Sequence, residues 1–326
     1  MKKDSLNLSI ARLGIRLAFL AIFIVIIQKG FLVFAEDEAK KTRSKKAIFG
    51  PVGSGHWYPA AETELRRMVD SFLTDVRVEG LKDKIVAVIA PHAGFKYSGQ
   101  GAAFSFKPLM KQKFDKVIIL APSHYASFRG LSILRADYYK TPLGLIKIDM
   151  DICKSLLKEK LISTISYAHT KEHSLENMLP FIQRTLKKFQ MVPIIVGQLK
   201  NDDYEILART IKKYIDENSL IVVSSDFTHY GHYFGYVPFP LNKDTRQKIK
   251  ELDHGAIDRI VNVDFVGYQH YLVKTGATIC GRVPIGLLLK ILPEAVKGKL
   301  VHYYMSGDRT GNYRNSVSYA SIVFYY

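Results

Sequence analysis

Three short apolar runs that each stop at a polar, histidine-bearing segment constrain this chain more than any other feature. The first, residues 86–90 (VAVIA), ends at Pro91 and His92 and is followed by Gly94, Gly99 and Gly101. The second, 116–120 (KVIIL), ends in Ala121-Pro122-Ser123-His124, and the third, 220–223 (LIVV), ends in Ser224-Ser225-Asp226-Phe227-Thr228-His229. Apolar runs without strict alternation are the pattern of strands covered on both faces in a mostly parallel sheet. Proline cannot donate to a ladder, so Pro91 ends the first run. The glycines after it permit a tight turn and a close approach before a helix opens near Gly99. Ligands of open α/β sheets bind at the carboxyl ends of the strands. One such histidine alone would read as an ordinary core or surface residue. Three strand ends delivering His92, His124 and the pair Asp226 and His229 point instead to a metal or proton-transfer site.

The rest of the chain alternates in the same way. Residues 192–196 read as a further buried strand and 202–216 as a helix, so the body is expected to be a single three-layer α/β domain with a central, mostly parallel sheet. Helix 62–76 is amphipathic, burying Leu65, Met68, Val69 and Phe72, and is scaffold. Ser174 is expected to cap a helix burying Leu175, Leu179, Ile182, Leu186 and Phe189, whose spacings of four and three are helical. That places His173 just outside the helix and Glu176 in its first turn, where a carboxylate either answers the helix dipole or reaches over the strand ends. Residues 131–134 and 143–148 suggest additions to the sheet, 149–160 a helix carrying Cys153, and 244–260 and 264–274 two more helices. The aromatic stretch 234–240 fits a pocket wall or lid. Strands at 299–305 and 316–326 are expected to close the sheet.

Residues 1–35 differ in kind. Lys2, Lys3, Arg12 and Arg16 precede an uninterrupted apolar run, 17–27, within the roughly 7 to 15 residues of a signal core and short of the about 20 that span a bilayer. Val33 and Ala35 suit cleavage after Ala35. Reading on to Ala35 instead gives an anchor carrying Lys29, off centre, where a central lysine would cost roughly 3 kcal/mol. Either way the body is expected outside the cytoplasm, periplasmic or extracytoplasmic. Losing five basic and one acidic residue takes the formal charge from +17 to +13. Residues 36–49, with KKTRSKK at 40–46, read as a basic tether, and 50–326 as the folded body. The lysines are scattered over predicted helix faces. An anionic membrane surface is therefore a better partner than nucleic acid, for which no module signature is present.

The glycine-rich 50–59 (GPVGSGHWYP) lacks the preceding strand and the Gly-Lys-Ser/Thr ending of a phosphate loop. His56 and Trp57 are expected to plug it onto the body or line a pocket rim. The two cysteines are expected to stay unpaired. Cys153 reads as a small core hydrophobe. Cys280, in Thr278-Ile279-Cys280-Gly281-Arg282-Val283-Pro284 before an apolar helix, has a helix N-terminus and Arg282 to stabilise its thiolate, a ligand for soft or borderline metals.

AVIAPHAGFKYSG, LAPSHY, KTPLG, EHSLENMLPF, VVSSDFTHYG, TICGRVPIG and SVSYAS together resemble, in order and spacing, the Memo family, called AmmeMemoRadiSam system protein B in bacteria. The resemblance runs from about Gly50 to the end of the chain. It implies a fold similar to that of the class III extradiol dioxygenase catalytic subunit, whose non-haem iron sits at strand ends. By it, His92, His124 and Cys280 correspond to metal ligands, Asp226 and His229 line the same site, and His173 is a further pocket histidine. Two histidines and a thiolate suit iron or copper, with zinc also acceptable, and depart from the two-histidine-one-carboxylate set that cleaves catechols. The resemblance leaves two functions open. One is a metal-dependent oxidoreductase in which Asp226 orients a ligand or water and His229 is the acid/base. The other is a non-catalytic metal-binding or adaptor protein offering the pocket to a small molecule or peptide. The family name also suggests a functional link to radical-SAM and AMMECR-type proteins.

Overall fold

A computed structural model describes residues 46–326 apart from Lys82, together with Lys29. The chain divides into Met1–Lys46 and Ala47–Tyr326, and the second unit carries the whole of the fold described. The expected signal or anchor segment lies outside the described residues. Among those described, no helix is long and apolar enough to cross a membrane.

Four strands run parallel through the centre of a nine-stranded sheet: Ile85–Ala90 (β1), Lys116–Pro122 (β2), Gln190–Val196 (β3) and Ser219–Ser224 (β4), in the spatial order β1-β4-β2-β3. Apart from the half-buried Val86, the β-branched and leucine residues of the expected runs are buried, Val88, Ile89, Ile119, Leu120, Val222 and Val223 all being inaccessible. Each such side chain removed from water contributes roughly 1.5–3 kcal/mol. Helix Phe95–Phe106 packs on β1, and Arg282–Ile291 packs on β2 and β4. The flanks are antiparallel. Asn315–Tyr325 (β5) pairs with β1, and Lys297–Met305 and His229–Gly231 pair with β5 in turn. Leu131–Ile133 covers the far side of β3. The C-terminal strand thus lies inside the sheet rather than at its edge. Ile48 and Phe49, read as tether, add a strand beside Tyr138–Thr141.

Because β1, β4 and β2 are parallel neighbours, their carboxyl ends share one edge, with Asp226 emerging between His92 and His124. One local expectation fails. Ser174 is not the cap of a long helix; instead two short helices form, His173–Glu176 and Leu179–Thr185, and Leu186 is already extended. Pro180, in the first turn of the second helix, has no N–H to continue the first. The capping is done by Glu172, whose side chain accepts the Ser174 N–H, so His173 opens the helix instead of lying outside it. The Ser174 hydroxyl, freed from capping, donates to Pro122 O at the end of β2.

Candidate metal centre

His92 follows β1 with its backbone N–H given to Asp226 Oδ1 at 2.8 Å and its carbonyl taking a bond from Asn177 Nδ2 at 2.6 Å. Its Nδ1 lies 2.7 Å from Ser224 Oγ. That hydroxyl has one proton and donates it to Ser174 O, so it accepts from His92, which fixes the proton on Nδ1 and leaves Nε2 as the lone-pair nitrogen. His124 is held in the same sense. Its backbone N–H and Nδ1 both reach the Glu172 carboxylate, at 2.6 and 2.8 Å, and an ionised carboxylate only accepts. His229 repeats the device, with Nδ1 between the carbonyls of Phe227 and Thr278 at 2.9 and 3.1 Å. All three imidazoles therefore commit Nδ1 to an acceptor and turn the chemistry over to Nε2.

The donor atoms fall into two overlapping groups that share His92. In one, single ligand atoms of His92, His124 and His173 lie within 4.8 Å of one another; in the other, those of His92, Asp226 and Cys280 do. Cys280 Sγ stands 3.4 Å from His92 Nε2 and accepts the Asp226 N–H at 3.2 Å. This sulfur also favours charge on His124. The expected set of His92, His124 and Cys280 draws on both groups. His229 does not join either group. Cys153 is remote from this chemistry, buried in helix Met150–Leu156, with burial pushing its thiol up to about 12. Both cysteines are free.

Charge is distributed unevenly across the cluster. Burial holds His92 well below the usual imidazole range, with His124 adding to the effect. Burial likewise brings His173 down to about 3, aided by His92 and His124. Burial also opposes charge on His124, but the Cys280 sulfur and the Glu172 carboxylate outweigh it and push this imidazole up to about 10. The reciprocal holds for Glu172, which burial would raise and His124 holds down at about 2. Burial raises Asp226 and the Cys280 thiol. Metal-free, the site thus holds one imidazolium–carboxylate pair, His124 and Glu172, beside the imidazoles of His92 and His173, which burial keeps neutral.

Sequence reasoning does not reach four features of the site. Nothing but its place beside His173 singles out Glu172, and Ser224 and Asn177 act through backbone partners that sequence does not display. Glu176 takes neither of the roles expected of it: fully buried, it accepts from Val52 N, Gly53 N, Tyr58 OH and Tyr139 OH and clamps the 50–59 loop. That loop lays Trp57 flat on His173, ring centroids 3.6 Å apart and planes at 3°, and His173 Nδ1 is left buried without a hydrogen bond, 3.7 Å from Glu172 Oε1. Trp57, Ala93, Gly94, Tyr97, Phe234 and Tyr319 contribute to a cavity of about 720 Å³ on the side of His92. His124 and Cys280 open into a separate cavity of about 380 Å³.

These residues lie within a chain that has known relatives. A family model described as Memo-like protein matches residues 51–323. A MEMO1 family protein of Pyrococcus abyssi is 33% identical over 285 residues, covering 84% of this chain and 98% of its own length. Protein MEMO1 of Homo sapiens is 32% identical over 281 residues, covering 82% and 94%. The crystal structure of an uncharacterized protein from Escherichia coli K12 superposes with a TM-score of 0.48 at 14% identity, covering 73% of this chain and 99% of that one.

Proposed function

We propose, on the premise that this chain belongs to the Memo family, that it is a metal-dependent oxidoreductase holding iron or copper on His92 Nε2, His124 Nε2 and Cys280 Sγ. The observation that carries this reading is the fixed Nδ1 protonation of both imidazoles, which leaves Nε2 of each as the donor, with the Cys280 sulfur 3.4 Å from that of His92. The donors suit such an ion: two imidazoles and a thiol are borderline-to-soft ligands, and zinc would be accepted by the same set. His173 Nδ1, Asn177 Oδ1 and Thr228 Oγ1 are buried polar atoms around the cluster that the described residues leave without a hydrogen bond. When bound, iron or copper would supply one-electron chemistry and an open position for oxygen or a small ligand.

The chain's own residues would then divide the remaining work. Asp226 uses Oδ1 to hold the His92 and Ala93 backbone, and Oδ2, 4.0 Å from His92 Nε2, is the oxygen left to orient a ligand or water. Raised by burial, this carboxyl can keep or accept a proton. His229, locked by two carbonyls, presents Nε2 as the acid/base. Trp57 covers one face of His173 and shields that flank from water. Dioxygenase-like ring opening is disfavoured by the thiolate in place of a carboxylate ligand, so oxidation of a phenolic or thiol compound fits the donor set better.

The test is metal analysis of protein prepared without added metal, followed by oxygen uptake with a panel of catechols and thiols. About one iron or copper per chain is expected, retained in Cys153→Ser, reduced in Cys280→Ser and absent in His92→Ala. Wild-type metal content in the last two variants sinks the ligand assignment. Stoichiometric metal with no turnover on any compound leaves the non-catalytic metal-binding function.

A further inference from the structure

The cavity that His124 and Cys280 open into is lined also by Arg282, Ser123, Ser127 and Gln198, and by no acidic residue. Arg282 is exposed there and makes no ion pair with any described acidic residue. Some arginines on this body are taken by carboxylates, Arg129 bidentately by Asp203 at 2.8 and 2.6 Å, Arg184 by Asp70 and Arg246 by Asp308, while others, such as Arg135 and Arg314, share with Arg282 the lack of such an ion pair; what sets Arg282 apart is the cavity it lines. Asp203 shares the neighbourhood of Tyr204 with Arg282, yet it is taken by Arg129 and by the Lys200 N–H. This guanidinium lines a small cavity beside two candidate metal ligands and finds no carboxylate among the other lining residues.

We infer that this cavity takes a small carboxylate-bearing ligand, with Arg282 receiving the carboxylate and the remainder of the molecule directed at His124 and Cys280. The inference names the substrate class of the proposed metal centre and rests on that reading for its catalytic meaning. Carboxylate is favoured over phosphate because one planar fork matches two coplanar oxygens, whereas no lysine and no second arginine lines the cavity and the His124 ring is already paired with Glu172, which leaves a dianion unbalanced. The volume of about 380 Å³ lies near the lower end of small-molecule sites, which suits a single ring or a short chain and not a peptide. Arg282 is therefore a specificity residue, distinct from the ligands it adjoins.

Calorimetric titration of benzoate, its neutral isostere benzamide, and inorganic phosphate into metal-free and cobalt(II)-loaded protein tests this. Benzoate is expected to bind both forms, about tenfold or more tightly than benzamide or phosphate. Arg282→Gln should abolish the preference for benzoate over benzamide, and Arg282→Lys should restore only part of it. Arg282 is exposed, so folding of the variants should be preserved, and cobalt loading should match wild type. Equal binding of benzoate and benzamide, no binding of any probe, or a preference untouched by Arg282→Gln overturns the inference. Failure of cobalt to bind while the benzoate preference persists would instead strike the metal reading and leave the carboxylate site standing.

Discussion

The Nδ1 proton of His124 goes to one oxygen of Glu172 and its backbone N–H to the other, so a single buried carboxylate sets both the orientation and the charge of the ring. Glu172, ordinarily near 4.5, is held at about 2; its contribution to stability is complete above about pH 4.5 and is lost as pH falls through about 2. His124, ordinarily near 6.5, is pushed up to about 10; its contribution is complete below about pH 6.5 and is lost as pH rises through about 10. In metal-free protein the loss of melting temperature caused by Glu172→Gln should therefore be greatest between about pH 4.5 and 6.5 and should shrink on either side. A loss constant from pH 3 to pH 10 would contradict a charged pair. A metal held by His124, as proposed, would displace the proton on this ring, so affinity should climb with pH from neutrality towards about 10 and protons should be released on binding. Glu172→Gln should weaken metal binding by roughly 10–100-fold, the effect of losing an outer partner, measurable by competition with a chelator.

The short turn His173–Glu176 with its flanks supports both strand-end histidines: Glu172 holds His124, Ser174 O fixes the Ser224 hydroxyl behind His92, Asn177 holds the His92 carbonyl, and Glu176 clamps the 50–59 loop. Replacing Glu176 by alanine strands four donors, and at roughly 1–3 kcal/mol for each unsatisfied buried group the variant should lose several kcal/mol of stability in urea unfolding. Gly281 is the equivalent point for the thiol. A Cβ there would fall 2.4 Å from Ser225 Cβ and 2.8 Å from Ser224 O, so Gly281→Ala must push the Cys280 loop off the end of β4. Metal affinity should drop although no ligand is changed; unaltered affinity would show that the loop has slack. The sequence revealed that this segment is helical but not that Pro180 divides it, because the apolar spacing from Leu175 to Phe189 continues through the break. It revealed His173 and concealed Glu172, since the value of a carboxylate depends on which imidazole the fold carries to it, here one 48 positions away.

At the scale of the molecule, the convergence of His92, Asp226 and His124 needed only strand order and direction, and the abrupt ends of three apolar runs announced it. The antiparallel placement of the C-terminal strand within the sheet was not legible, because a buried strand has the same apolar pattern whichever way its neighbours run. Cysteine chemistry is set by position: under non-reducing denaturation two free thiols should be titrated, whereas in the folded protein Cys280 should react first, and more slowly once metal is bound, while Cys153 stays inert until unfolding. Residues 1–35 predict a secreted or anchored product, and N-terminal sequencing that begins at Glu36 would support cleavage. Trp57 is the single tryptophan of the chain, and it lies flat against His173. The protein thus carries an intrinsic fluorophore in van der Waals contact with its candidate centre. A paramagnetic ion there should quench its emission, a loosened 50–59 loop should shift it to the red, and the two optical responses separate occupancy of the site from opening of its wall without any added label.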